Sequence, residues 1–308
     1  MRLPDWFGLE SRFFALCCAV LFPVSGRVAI AATYIDGVGD PASGIGATYI
    51  GGERDPAATV GATYIDGVRT TAAGTDFTAH ADIIAGWLMN SAGDATEIDR
   101  SVNGLDLVES TGDTIARSND VPTGWDAGSW SKTFVATETE ALRHADNVAF
   151  EFAGGEFTIA IWIKPASFAS NGKLFNKWKP AQKSWELYHS GTTDKLRLTV
   201  SENCVGAHIL VTTVNLDLDI GTWSHVAVTY DGSTVLFYEN GLLTDTFSVT
   251  TLIPCGGNSM FSIGNREDLS QPADAEFDEA ALFSSVLSAD EILELATTGL
   301  DGTKGGND

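Results

Sequence analysis

The stretch WSHVAVTYDGSTVLFYENG, residues 223–241, decides the fold because it contains two β-strands and the turns that bound them. Val226, Val228 and Tyr230 alternate with smaller residues, and this period of two is typical of a strand with one buried face. Asp231-Gly232 marks a turn, after which VLFYE supplies a second strand. Asn240-Gly241 then indicates a two-residue hairpin leading into LLTDTF.

The same pattern of short strands continues over about residues 80–300. In FTIAIWIKP, residues 157–165, large apolar residues occupy the odd positions, and Trp162 breaks the alternation. Val148–Phe152 is also predicted as a strand, whereas no strand is predicted between Met89 and Val148. One helix is expected, because Ser288 and Glu291 form a capping box before ADEILELAT. A dozen strands and one short C-terminal helix predict an all-β, two-sheet antiparallel sandwich.

Four motifs in order carry a family resemblance: FTIAIWIKP, WSHVAVTYDGSTVLFYENGLL, FSIGN and AEFDEAALFSSVLSADEI. Together with the opening IIAGWLMNSAGDATEIDRSVNGLDLV, they resemble the LamG-like (laminin G-like, concanavalin A-like) jelly-roll domains. The resemblance implies a jelly roll over residues 77–300, followed by a polar tail, 301–308. It also implies an extracellular module that binds glycans or proteins, although some relatives of the same architecture are glucanases or lyases.

Residues 1–31 have the features of a secretory signal peptide. Arg2 and Arg12 supply positive charge, Phe13–Val24 is apolar, and Ala29-Ile30-Ala31 fits the small-x-small cleavage rule. The alternative is an uncleaved membrane anchor, for which the apolar run is short. Cleavage predicts a secreted or cell-surface protein with no membrane span in the mature chain.

Charge and cysteine usage agree with export. The chain has 18 Lys and Arg against 41 Asp and Glu, a formal net charge of −23, which argues against nucleic acid as a partner and suits solubility or divalent cations. Cys17 and Cys18 leave with the signal peptide. Cys204 and Cys255 remain, and we expect them to form a disulfide; a metal-binding pair and free thiols are the alternatives.

Three tandem repeats of fifteen residues occupy residues 32–76, and each begins Ala-Thr-Tyr-Ile. Thr-Tyr-Ile favours a strand, and the remainder of each repeat has turn and linker residues. The segment is a flexible spacer, a small lobe of its own, or a set of strands donated to the edge of a sandwich, its own or a neighbour's. Donation would make the protein a structural or adhesive subunit that forms homo-oligomers or polymers. The candidate assembly residues are Tyr34, Ile35, Tyr49, Ile50, Tyr64 and Ile65.

The carboxylate pattern argues against an enzyme. A retaining glucanase needs two carboxylates about 5 Å apart across a sugar bond. Glu276 and Asp278 share a strand face, but Ala280 and Ala281 occupy the positions where the second glutamate belongs. No catalytic residue is therefore predicted, and a divergent glycoside hydrolase or lyase is kept only as an alternative.

The resemblance also implies one Ca²⁺, held by oxygen ligands from loops. The positions that match are Asp99, Asn103, Asp106, Asp278 and Glu279. Val102 stands where the family usually has glycine. The alternative is that the side chains of the first turn cap that turn through its own backbone.

Glycan binding needs exposed aromatic rings beside hydrogen-bonding groups. The candidates are Trp125, Asp126 and Trp130 in one Gly- and Ser-rich loop, and Trp178 and Trp185 on either side of the loop KPAQKS. The alternative is that these rings close the edges of the sandwich. The sequence thus predicts a secreted, non-catalytic module that binds a carbohydrate or a surface protein, assisted by calcium.

Overall fold

A computed structural model describes residues 48–50, 62–65, 68–71 and 74–304, apart from 93–95, 111–113, 126–127, 169–170, 192, 207–208 and 251–252. The predicted signal peptide, Tyr34 and Ile35 lie outside these residues. The chain divides into two units, Met1–Ala72 and Ala73–Asp308.

The first unit contains a three-stranded sheet built from the repeats. Its strands are β1 (Thr48–Ile50), β2 (Ala62–Ile65) and β3 (Val68–Thr71). β1 and β2 are parallel, with Tyr49 opposite Tyr64 and Ile50 opposite Ile65, whereas β2 and β3 are antiparallel. Equivalent residues of the second and third copies thus pair with each other within one sheet.

The second unit is predominantly β. Its strands are β4 (Ile83–Trp87), β5 (Val108–Glu109), β6 (Ala116–Ser118), β7 (Ser131–Phe134), β8 (Leu142–His144), β9 (Phe157–Pro165), β10 (Lys173–Lys179), β11 (Gln182–His189), β12 (Leu196–Cys204), β13 (Ile209–Thr212), β14 (Ser224–Tyr230), β15 (Thr234–Glu239), β16 (Leu242–Ser248), β17 (Phe261–Ile263) and β18 (Ala275–Phe283). The helix α1 spans Ala289–Thr298. α1 is too short to span a bilayer, and the described part of the chain has no longer apolar helix.

These strands form two facing sheets. The seven-stranded sheet has the order β13-β12-β11-β10-β17-β8-β5. The eight-stranded sheet has the order β16-β15-β14-β9-β18-β7-β6, and β4 pairs with the second half of β18. Every strand pair that the structure describes in this unit is antiparallel. The predicted two-sheet antiparallel sandwich with one helix is confirmed.

The core between the sheets is aromatic at its centre. The Phe261 ring stacks on Phe150 and on Trp87, with centroids 4.3 Å and 5.5 Å apart. The indole of Trp87 donates to the Leu105 carbonyl over 3.0 Å, so its polar atom is satisfied inside the core. A smaller apolar cluster lies beneath α1 and includes Ile292 and Leu295. The sandwich therefore buries the inner face of each sheet and, beneath α1, part of the outer face of the eight-stranded sheet.

The local signals of residues 223–241 and of α1 are confirmed. Asn240 and Gly241 have φ angles of 50° and 81°, as a type I′ hairpin requires. A Cβ atom on Gly241 would lie 2.8 Å from Leu293 Cα in α1, so the turn needs glycine for space as well. Ser288 and Glu291 form the predicted capping box.

Two parts of the strand prediction are wrong. Val148–Glu151 is a short 3-10 helix whose first turn is capped by the Asn147 side chain, because Asn competes for backbone N–H groups at such a position. The four strands β5 to β8 were not predicted. Each has two to four residues, which is too few for a period of two to be recognised.

The predicted disulfide between Cys204 and Cys255 is present, with the two Cα atoms 5.4 Å apart. It fixes the segment before β17 to the end of β12. At the other side of the unit, the first and last described segments meet: Phe77 N–H donates to Leu300 O over 2.8 Å, and Gly74 N–H donates to Gly302 O over 3.3 Å.

Candidate functional site

A groove of about 460 Å³ lies on the outer face of the seven-stranded sheet. Strands β11 and β12 place polar residues there by simple alternation: Trp185 and Leu187 point into the core, and Glu186 and Tyr188 therefore point outward. Arg197 lies opposite Tyr188 in the next strand. We call this the basic groove, lined by Asn171, Lys173, Trp178, Pro180, Lys183, Glu186, Tyr188, Arg197, Arg266 and Gln271.

Lys173 lies at the bottom of the basic groove, with only 2% of its surface exposed. Its ammonium is 3.5 Å from the centroid of the Tyr188 ring and 2.9 Å from the Glu186 carboxylate. Burial lowers the pKa of Lys173 to about 8; Glu186 opposes the shift, and Arg266 and Arg197 add to it. The amine is therefore desolvated and mostly charged at neutral pH.

Three further cationic side chains line the basic groove, and two of them, Arg197 and Arg266, act on Lys173. Arg197 lies 5.9 Å from the Tyr188 centroid, and Lys183 lies 5.3 Å from the Trp178 centroid. Arg266 Nη1 donates to Gln271 over 3.4 Å, and its Nε lies 3.9 Å from Asp268. The groove thus combines N–H donors with two aromatic rings that are largely buried, Tyr188 at 8% and Trp178 at 7% exposure, which suits a polar ligand that contacts the ring surface left between the cations.

Trp178 and Trp185 do not form a joint platform. Trp178 lines the basic groove, whereas Trp185 is fully buried and donates to the Phe150 carbonyl over 2.8 Å. The hairpin register shifts by one residue near Ser184, so that Trp185 lies opposite Lys177. Such a bulge places the two rings on opposite faces of the sheet. The predicted ligand-binding role of Trp185 is therefore wrong.

The loop with Trp125 and Trp130 does not present a free pair of rings. Trp125 packs edge-on against Trp162, with centroids 5.5 Å apart. The guanidinium of Arg117 covers Trp130 at 3.9 Å from the ring centroid. Both rings are half-buried, and the predicted partner Asp126 lies outside the described residues. The two tryptophans thus have different neighbours and separate environments.

A second concave site lies on the outer face of the eight-stranded sheet, with a volume of about 480 Å³. Trp162 and Trp223 line it, together with Asp120, Lys164 and Asn240. Neither tryptophan is among the ligand-binding residues predicted from the sequence. The sequence signal for this site was Trp162, which breaks the alternation of β9. The large apolar residues at odd positions of β9 face the core, so a large ring at an even position lies on the outer face of the sheet.

The polar groups of this second site are already paired. Lys164 contacts both Asp120 and Glu276, and the Trp223 indole donates to Asp120 over 2.9 Å. The hydrogen bonds from Lys164 and Trp223 hold the pKa of Asp120 below its usual value. A ligand here would have to compete with this network.

Asp278 and His225 flank Trp162 on the neighbouring strands. Burial, and then the Glu279 and Glu97 carboxylates, raise the pKa of Asp278 well above its usual value. Burial lowers the pKa of His225 to about 3. The protein environment therefore favours the uncharged form of both groups.

The residues proposed for calcium have other partners. The Asp99 carboxylate accepts from the backbone N–H groups of Gly86, Ser101 and Leu105, and Asn103 donates to the carbonyls of Ile83 and Ile84. Asp106 accepts from Asp99 N–H, and Glu279 accepts from Leu300 N–H. Asp99 thus caps its own turn through Ser101 and Leu105, and Asp99 and Asn103 also join that turn to β4.

Within the described ranges, no group of three or more His, Cys, Asp or Glu side chains is arranged to hold a metal ion. The side-chain oxygens of Asp99 already accept from the N–H groups of Gly86 in β4 and of Leu105 in the first turn. A calcium ion at Asp99, Asn103, Asp106, Asp278 and Glu279 stays a prediction.

The family model of the concanavalin A-like lectin/glucanases superfamily matches residues 136–293, about half of the 308 residues. No curated protein matches the chain.

Solved structures with a similar fold include the binding domain of Paraclostridial Mosquitocidal Protein 1, with a TM-score of 0.54, 18% identity, and coverage of 70% of this chain and 52% of that chain. The binding domain of Botulinum Neurotoxin DC in complex with SialylT has a TM-score of 0.49, 14% identity, and coverage of 71% and 52%. Domain 4 of AbnA, a GH43 extracellular arabinanase from Geobacillus stearothermophilus, in complex with arabinotriose, has a TM-score of 0.49, 16% identity, and coverage of 70% and 98%. The chain spans about half the length of the two toxin chains.

Proposed function

This chain belongs to the concanavalin A-like lectin/glucanases superfamily, and from that membership we propose that it is a secreted, non-catalytic module that binds carbohydrate. The observation that carries the proposal is the basic groove, in which Tyr188 and Trp178 are flanked by Lys, Arg, Asn and Gln side chains. Sugar rings have apolar faces that stack on aromatic rings and hydroxyls that need hydrogen-bond partners. A surface protein that presents glycans is the corresponding physiological partner.

The carboxylates support a role without catalysis. Glu276 is ion-paired with Lys164 over 3.0 Å, and Asp278 is 1% exposed. The two acidic residues that share a face of β18 thus do not present a free pair to a cleft, as glycoside hydrolysis requires. Secretion is supported by the features of residues 1–31 and by the disulfide between Cys204 and Cys255.

Replacing Tyr188 with alanine should weaken glycan binding about tenfold or more, because the ring forms the floor of the basic groove; a tenfold loss is about 1.4 kcal/mol. Tyr188→Phe is the matched control, since it keeps the ring and removes only the hydroxyl. Binding of an oligosaccharide panel is measured by calorimetry, with circular dichroism to check folding. Unchanged affinity in Tyr188→Ala, with loss in Trp223→Ala, would move the site to the eight-stranded sheet.

Self-assembly through the repeats is a second candidate function, favoured by the parallel, like-on-like pairing of β1 and β2. A sheet of strands with the same sequence can be extended by an equivalent strand from another molecule. Tandem copies also raise the effective concentration of a strand that docks weakly. In this proposal the protein is a structural or adhesive subunit as well as a binding module.

A protein starting at Ala32 should form larger assemblies in light-scattering chromatography than one starting at Phe77, which should be monomeric. Tyr49→Pro combined with Tyr64→Pro is the matched variant, since proline removes the ladder N–H at both rungs. Each protein is run with calcium and with chelator. A monomeric mass for each of the three proteins would rule out assembly through the repeats.

A further inference from the structure

We propose that the sugar bound in the basic groove is anionic, and that Arg197, Arg266 and Lys173 pair with its carboxylate or sulfate group. This inference rests on the proposed carbohydrate-binding function and adds the chemical class of the ligand. It follows from the sign, the pairing and the burial of the charges in the groove.

The sign of the charge in the basic groove is opposite to that of the chain. The protein has a formal net charge of −23, yet four Lys and Arg side chains line the groove against one acidic residue, Glu186. Asp268 contacts Arg266 at the rim, which still leaves an excess of positive charge. A cluster of 4 among only 18 Lys and Arg residues points to a specific anionic partner, because unspecific attraction of anions is disfavoured by the rest of the surface.

Two of the four cations lack a carboxylate partner within the described residues. Arg197 donates from Nε to the Thr212 hydroxyl over 2.8 Å and otherwise faces the Tyr188 ring. Lys183 faces the Trp178 ring. Arg266 makes the long contact to Asp268 and donates from Nη1 to Gln271 over 3.4 Å, and its buried Nε has no hydrogen-bond partner in the described part of the chain. Arg197 uses Nε for Thr212, which leaves its terminal N–H groups for a planar carboxylate or a sulfate, and guanidinium groups bind both in a bidentate manner.

The second concave site provides an internal comparison. There the single cation, Lys164, is neutralised by two carboxylates, Asp120 and Glu276. Lys173 has one carboxylate, Glu186, and two arginines nearby that lower its pKa. An added anion would relieve the repulsion among Lys173, Arg197 and Arg266, whereas a neutral sugar would not.

Binding of an anion should therefore depend on pH. Lys173 is faced by Glu186 and Tyr188 from β11, by Arg197 from β12, and by Arg266 from the loop after β17. A lysine is charged below its pKa, and the pKa of Lys173 is about 8. Between pH 7 and 9 the free protein loses most of this charge, while carboxylate and sulfate sugars stay ionised. Affinity for the anion should fall several-fold over that interval.

The test compares four oligosaccharides by calorimetry: trigalacturonate, its methyl ester, neutral galactotriose, and a carrageenan tetrasaccharide that has sulfate without carboxylate. We expect at least one of the two anionic sugars to bind tenfold or more tightly than the ester and galactotriose. Binding of trigalacturonate alone would identify a carboxylate ligand, and binding of the carrageenan fragment alone would identify a sulfated ligand.

Arg197→Gln should weaken binding of the anionic sugar about tenfold and leave binding of the neutral sugars unchanged. Lys304→Gln, which removes an exposed lysine outside the groove, should have no effect.

Two results would overturn the inference in distinguishable ways. If the ester or galactotriose binds as tightly as the anionic sugars and Tyr188→Ala weakens all of them, the groove binds carbohydrate but does not select anions. If none of the four binds, both the selectivity and the proposed function of the groove fail. Lys173→Gln gives a separate readout: it should abolish the fall in affinity between pH 7 and 9, and an unchanged pH profile would remove Lys173 from the site.

Discussion

Trp185→Ala should lower the free energy of unfolding by about 3–5 kcal/mol, the range for removal of a large buried aromatic. Trp185 is fully buried, and its ring lies 5.0 Å from Phe152 and 6.1 Å from Phe261, centroid to centroid. Its N–H also satisfies the Phe150 carbonyl, which alanine would leave without this donor. Urea denaturation followed by fluorescence and circular dichroism measures the change.

Trp178→Ala is the matched control, since it removes the same side chain from the neighbouring strand of the same hairpin. Trp178 lies in the wall of the basic groove and belongs to neither apolar cluster, so we expect a smaller loss of stability. Equal losses in the two variants would contradict the assignment of Trp185 to the core and Trp178 to the groove.

Replacing Cys204 and Cys255 together by serine should cost about 4 kcal/mol, because the disulfide closes a loop of 51 residues in the unfolded chain. For a unit of this size the loss corresponds to a decrease in Tm of about 8–16 °C. Differential scanning calorimetry without reductant measures it. The bond joins two segments at the edge of the seven-stranded sheet, so the folded structure itself should be retained.

The control for this prediction is the wild-type protein with reductant. Reduction should bring the wild-type Tm close to that of the double variant and should leave the variant unchanged. A wild-type Tm that is insensitive to complete reduction would show that the bond contributes nothing to stability, contrary to the loop-closure argument.

Regular alternation made the central strands of the sandwich predictable. Residues 157–165 and 223–241 alternate apolar and smaller residues with a period of two, and residues 223–241 also contain turns of recognisable sequence. These signals are local and require no knowledge of distant residues. β7 and β8 pair with β18 and β17, far along the chain, and β6 and β5 in turn pair with β7 and β8. Two to four residues do not form a recognisable pattern. The 3-10 helix at Val148 was decided by the cap at Asn147.

The candidate site was less predictable, because tertiary structure assembles it. Arg266 comes from a loop after β17 and Arg197 from β12, and only the folded sheet brings them to one groove. The two tryptophans of the β10–β11 hairpin would share a face in a regular register, and the shift near Ser184 separates them. Aromatic residues alone were therefore a poor guide to the site.

The hydrogen bonds from Phe77 to Leu300 and from Gly74 to Gly302 bring the first and last described segments of the sandwich side by side. A polypeptide that enters at one of them therefore leaves within a few ångströms of the same point. Such a unit can be inserted into a loop of another protein without separating the two halves of its host, and circular permutation is compatible with its architecture. The sandwich can therefore be inserted as a unit into different host proteins.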